Sequence, residues 1–78
     1  MSEKYLDFVL EAAKVVFTRD DITPGTRFKE DLYAKSLSIA ELMSAIEDEY
    51  DVEVPYMEIS RKKTIAEAAD YVGTLMED

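Results

Sequence analysis

In a chain of 78 residues, 18 Asp and Glu stand against 9 Lys and Arg, and the absence of His and Cys leaves a formal charge of −9. Without an imidazole or a thiolate there is no Ser-His-Asp or Cys-His catalysis, no disulfide and none of the common zinc sites. The acidic balance argues against nucleic acid, whose phosphates need Lys and Arg for most of the binding affinity, and points to basic protein partners.

A chain of this length has room for one small domain, 1–78, whose core buries only about 60% of the unfolded surface. The first residues show no basic region followed by an apolar run, and no stretch approaches about 18 apolar residues. Neither a signal peptide nor a membrane span is therefore expected, and the expected location is cytoplasmic.

Apolar residues Tyr5, Phe8, Val9, Ala12, Val15 and Val16 recur at helical spacing and predict a first helix, with Ser2 placed to cap it. A long connection follows, from about Thr18 to Lys35, punctuated by the turn pair Pro24-Gly25. So long a loop needs anchoring in a compact domain, and Phe28 and Leu32, four residues apart, are placed to turn inward together.

Ile39, Leu42, Met43, Ile46 and Tyr50 predict a second helix, with Glu41, Ser44 and Asp48 on its far side. Its start is open between two serines. Ser36 suits an N-cap, and Ser38 has Glu41 three residues on, the spacing of a capping box. Next, Asp51 to Pro55 alternates like a strand but has no pairing partner, so it reads as an extended connector. A short helical turn with Met57 and Ile59 fits before the basic cluster Arg61-Lys62-Lys63, and Met57 and Ile59 are expected to cap the core. The last helix carries Ile65, Ala68, Ala69, Val72 and Leu75, opened by Thr64 and Glu67 at capping-box spacing. The sum is an all-α bundle of three main helices plus one short helix.

One stretch does not reduce to packing. Phe28-Lys29-Glu30-Asp31-Leu32-Tyr33-Ala34-Lys35-Ser36-Leu37 sets a serine at the mouth of an acidic helix, beside its unpaired N–H groups and positive dipole end, where a phosphate is favoured. With Glu41-Leu42, the acidic run Glu47-Asp48-Glu49-Tyr50-Asp51, Val54-Pro55, Thr64-Ile65 and Ala69-Asp70-Tyr71-Val72, the chain from Phe28 to about Leu75 resembles the acyl carrier protein family.

The resemblance implies that the Ser36 hydroxyl is esterified by 4′-phosphopantetheine from coenzyme A, whose terminal thiol carries a substrate as a thioester. That accounts for thiol chemistry in a chain without cysteine, because the sulfur arrives on the cofactor. It further implies a carrier and not an enzyme, expected as a monomer in a specialised fatty acid, lipid or polyketide pathway. Its partners would be a phosphopantetheinyl transferase, an acyl-ACP synthetase or acyltransferase, and ketosynthase-type enzymes with basic docking surfaces. The positions matching the family's docking face are Leu37, Glu41, Glu47 and Asp48. Ser36 to Ser60 contains acids but no Lys or Arg, a one-sign surface that steers basic partners. Leu42, Met43, Ile46, Ile59 and Ala68 are consistent with an acyl pocket and equally with an ordinary core.

Three residues depart from the family pattern around the serine. Lys35 stands where Asp is usual, Tyr33 where Gly is common and Ser38 where another acid is frequent, which makes the helix entrance less negative. The Arg61-Lys62-Lys63 cluster is likewise less acidic than expected and suggests a dedicated partner. An aminoacyl or peptidyl carrier, or an unmodified acidic interaction module with the carrier fold, are the competing readings. No Gly-rich phosphate loop and no calcium-loop pattern is present.

Overall fold

The computed structural model describes residues 3–76. Four helices follow in order, α1 (Glu3–Phe17), α2 (Ser36–Tyr50), α3 (Tyr56–Ile59) and α4 (Ile65–Met76), with α1 packed on both α2 and α4, and α3 on α2. Among the described residues there is no strand, only one isolated antiparallel bridge between Arg27 and Thr64. The expected three-plus-one helical bundle is what forms, and the connector forms no strand; it is corrected at its first residue, because Asp51 is left-handed (φ 53°, ψ 52°) as the C-cap of α2, while Pro55 at its end is extended. The expected Ser2 cap lies outside the described residues.

The core is built from one stripe of each main helix. From α2 it takes Ile39, Leu42 and Ile46; from α4, Ile65, Ala68, Ala69 and Val72; from α3, Ile59. On α1 the buried residues are Tyr5, Val9, Ala12 and Ala13, whereas Val15 is 79% exposed. The expected stripe is therefore rotated toward Ala13, and Val15 is corrected from core to surface. At the open end of the bundle the edges of Tyr5 and Phe8 meet Tyr50, with ring centroids 5.3 and 5.5 Å apart. Burial pushes the Tyr50 hydroxyl above its ordinary pKa, with Glu49 adding to the effect.

Helix α1 stops in a Schellman turn. The Thr18 N–H donates to the Val15 carbonyl at 3.3 Å and the Arg19 N–H to Lys14 at 3.1 Å, with Thr18 in the left-handed region at φ 55°. The loop that follows is not loose. Ile22, Phe28 and Leu32 are buried, and Phe28 meets Phe17 of α1 at 6.4 Å between centroids.

The loop's backbone also caps α4. The Ile65 N–H donates to the Thr26 carbonyl at 3.1 Å, Ala66 N–H to Pro24 at 2.9 Å, and Glu67 N–H to Thr64 Oγ1 at 3.2 Å. Three donors that a helix start leaves unpaired are thus satisfied, two of them by the loop. Glu67 returns the bond not to Thr64, as the capping box requires, but to the Lys63 N–H at 2.9 Å. In the opposite direction Phe28 N–H donates to Lys63 at 2.9 Å, which closes the bridge.

Candidate attachment and docking site

The loop delivers the serine through one compact turn. Asp31 accepts the Arg27 backbone N–H at 2.8 Å and grips its guanidinium through both carboxylate oxygens at 3.0 and 3.2 Å. That pairing holds the Asp31 carboxyl below the usual carboxylate range, mainly through its hydrogen bond with Arg27. Arg19, itself forked onto Asp21 at 2.9 and 3.0 Å, donates to the Asp31 carbonyl at 3.0 Å. The turn ends where Tyr33 takes φ 51° and the Ala34 N–H closes on the Phe28 carbonyl at 2.9 Å. A left-handed residue is needed there, which is the physical reason glycine suits that position.

Helix α2 begins one residue away from where a serine cap would place it. The N-cap is Lys35, extended at φ −108° and ψ 168°, with no side-chain cap bond, and Ser36 is the first helical residue. Neither Ser36 nor Ser38 serves as the expected cap. The first intrahelical bond runs from Ile39 N–H to the Lys35 carbonyl at 3.0 Å, and the first turn holds no acid. Among the described residues nothing accepts the N–H groups of Ser36, Leu37 or Ser38, and Ser36 is exposed. A hydroxyl at such a start meets uncancelled positive dipole, so an attached phosphate would find donors already aimed outward.

The candidate docking residues divide. At 100° per residue Leu37, Glu41 and Asp48 share the face opposite the buried Ile39, Leu42 and Ile46, and all three are exposed, Leu37 by 70%. Glu47 lies on another row, in line with Ser36, Ala40 and Met43. It is half-buried, and its Oε2 accepts the Val54 N–H at 2.8 Å, tying the connector to α2. Tyr33 (77%), three residues before the serine, and Met57 (65%) on α3 are also exposed. Met57 is thereby corrected from core to surface, since α3 buries Ile59, 2% exposed, and packs Tyr56 against the core. Leu42, Ile46, Ile59 and Ala68 are buried against one another in the core and Met43 is half-buried.

A cleft of about 510 Å³ opens beside α2, between the 28–34 turn and residues 60–63. Phe28, Ala34 and Ile39 give it apolar surface, while Lys29, Arg61, Lys62 and Lys63 line it with charge. Sequence reasoning did not find it, because its walls come from three separate segments. Among the described residues no group of three His, Cys, Asp or Glu side chains converges to hold a metal ion.

Residues 7–72 match the family described as the phosphopantetheine attachment site, so the match spans most of the chain. The chain belongs to the acyl carrier protein family. It is similar to the acyl carrier protein of Chlorobium phaeobacteroides, with 33% identity over 72 residues that cover 92% of this chain and 90% of that protein. A member of this family is a carrier, not an enzyme, and its covalent group is 4′-phosphopantetheine. No helix among the described residues is long and apolar enough to cross a membrane.

Proposed function

We propose that this carrier receives its 4′-phosphopantetheine on Ser36 and holds acyl intermediates as thioesters on the arm. The observation that supports this most is the exposed Ser36 at an α2 start whose first three N–H groups have no acceptor among the described residues. In the loading step Ser36 Oγ forms a bond to the phosphorus that bears pantetheine in coenzyme A. The pyrophosphate bond breaks, adenosine 3′,5′-bisphosphate leaves, and the hydroxyl proton passes to a base on the transferase. This chain has no imidazole to take it.

Leu37, Glu41 and Asp48 form the face that meets basic partners: the phosphopantetheinyl transferase, an acyl-ACP synthetase or acyltransferase, and ketosynthase-type enzymes. Glu47 contributes charge at its edge. Such a face favours fast, salt-sensitive encounters. The setting is a specialised fatty acid, lipid or polyketide pathway in the cytoplasm, with an aminoacyl or peptidyl cargo requiring the same serine and different partners.

Lys35 favours a second reading, an unmodified interaction module with the carrier fold, because it removes the usual acid next to the serine. Incubation with coenzyme A and several phosphopantetheinyl transferases, followed by intact mass, separates the two. A gain of one phosphopantetheine, lost in Ser36→Ala, is expected for the carrier. No gain with any transferase, including one from the source organism, leaves the module.

A further inference from the structure

The cleft beside Ser36 carries a charge pattern opposite to that of the chain. Of 9 basic residues in a protein of charge −9, four line this one cleft: Lys29, Arg61, Lys62 and Lys63. The three ion pairs found among the described residues, Lys14 with Glu11, Arg19 with Asp21 and Arg27 with Asp31, all use other cations. Lys62 rests over the Tyr71 ring, 4.9 Å from its centroid, and none of the cleft's cations has a carboxylate within 4.0 Å among the described residues. The Lys62 ammonium is thus drawn toward Tyr71, outside the cleft. With twice as many acids as bases available, Lys29, Arg61 and Lys63 gathered along one concavity without an ion pair among the described residues is not what charge neutralisation alone produces. One acid, Glu30, shares the lining.

Beneath that charge lie Phe28, Ala34 and Ile39. An apolar floor with a cationic rim fits a chain of methylenes ending in an anion, and about 510 Å³ is within the roughly 300–1,000 Å³ of small-ligand sites. The cleft is also within the serine's reach, since Ala34 precedes Ser36 by two residues and Ile39 follows it by three. We infer that the cleft holds an acyl group whose far end is an ionised carboxylate, tethered through the arm on Ser36. The methylenes lie on Phe28, Ala34 and Ile39, and the carboxylate faces Arg61 and Lys63. This inference rests on Ser36 being the attachment site. A flat patch would suit an acidic protein better, but the concavity and its apolar floor favour a small tethered anion.

The test loads the protein with octanoyl-phosphopantetheine or its octanedioyl counterpart, using a transferase and the matching acyl-coenzyme A, with unacylated holo-protein as control for the phosphodiester alone. At low salt the octanedioyl form is expected to melt about 2–6 °C above the octanoyl form. Amide shifts should move at residues 60–63. In about 1 M salt, where the Debye length falls to about 3 Å, the difference should vanish. It should also vanish in Arg61→Gln/Lys63→Gln but persist in Lys4→Gln. Mass gain on Ser36 with equal melting of the two acyl forms overturns this inference and leaves the carrier reading standing. So does a shift already complete in the unacylated holo-protein, which assigns the cations to the phosphodiester. No mass gain overturns both.

Discussion

The carboxylate of Glu47 accepts the backbone N–H of Val54 at 2.8 Å, so an acid of α2 fixes the connector that leads to α3. Val54 is 3% exposed, and without Glu47 its N–H would lose its acceptor on burial. Bonds to a charged acceptor contribute about 1.5–3 kcal/mol, less where solvent reaches one partner, so Glu47→Ala is expected to cost about 1–2 kcal/mol. In thermal unfolding that is a fall of roughly 5–10 °C. Glu47→Gln keeps an acceptor oxygen and should lose far less. An alanine variant as stable as the parent would show that the tie contributes nothing. Because Gln removes charge without removing the bond, its effect on transferase association isolates the electrostatic share.

Lys35 precedes the serine as the N-cap of α2, with no cap bond of its own. An Asp there would accept an N–H from the first turn and oppose the dipole, together stabilising by about 0.5–2 kcal/mol. Lys35→Asp should therefore raise the melting temperature and also speed modification by a general fatty-acid-type transferase. Lys35→Asn supplies the cap without the charge. If Asn reproduces the stability gain and Asp alone speeds loading, cap and docking are separate effects. A loading rate for Lys35→Asp no faster than the parent's removes the docking argument.

The periodic elements were legible because Ile39, Leu42 and Ile46, or Ile65, Ala68, Ala69 and Val72, repeat at helical spacing with polar residues between them. Val15 was not, because apolar residues at 12, 13, 15 and 16 surround more than one face, and only the packing of α1 on α4 and α2 selects Ala13 over Val15. Ile22 stands alone in a loop, where no period marks it as buried. At the candidate site, the serine and its helix were legible, but its register was not: Ser is a better N-cap than Lys, and the turn ending at Tyr33 nevertheless starts the helix after Lys35. The Glu47 tie crosses the end of α2 to the connector and the cationic cleft joins three separate segments, and spacing within one helix reveals neither.

Thr18 and Tyr33 adopt φ 55° and 51°, where a side chain with a Cβ costs roughly 1–2 kcal/mol. Thr18 is β-branched and carries the greater penalty. Both are exposed, so trimming them removes little packing. Glycine regains the conformational penalty but gives back about 0.5–1 kcal/mol through the freer unfolded chain. Thr18→Gly is expected to stabilise by about 0.5–1 kcal/mol and Tyr33→Gly by somewhat less, read from urea midpoints with unchanged slopes. Destabilisation by both would mean that these side chains make contacts outweighing the backbone strain.

Asp31 gives the turn before the serine a defined response to acid. Its carboxyl titrates below the ordinary range when folded, chiefly because of the hydrogen bond from the Arg27 side chain and then the one from the Arg27 backbone N–H. The folded chain therefore binds fewer protons at this site than the unfolded chain, so stability from Asp31 grows with pH through this window. It is fully present above the unfolded value of about 3.9 and fades as pH falls through the lower folded value. Asp31→Asn should be less stable than the parent at pH 7, and the gap between their melting temperatures should narrow below about pH 4. Asn retains a side-chain oxygen for the Arg27 N–H but not the ion pair, so the part of the gap that closes with acid measures the charge. A gap constant from neutral pH to about pH 2 would assign Asp31's role to hydrogen-bond geometry alone.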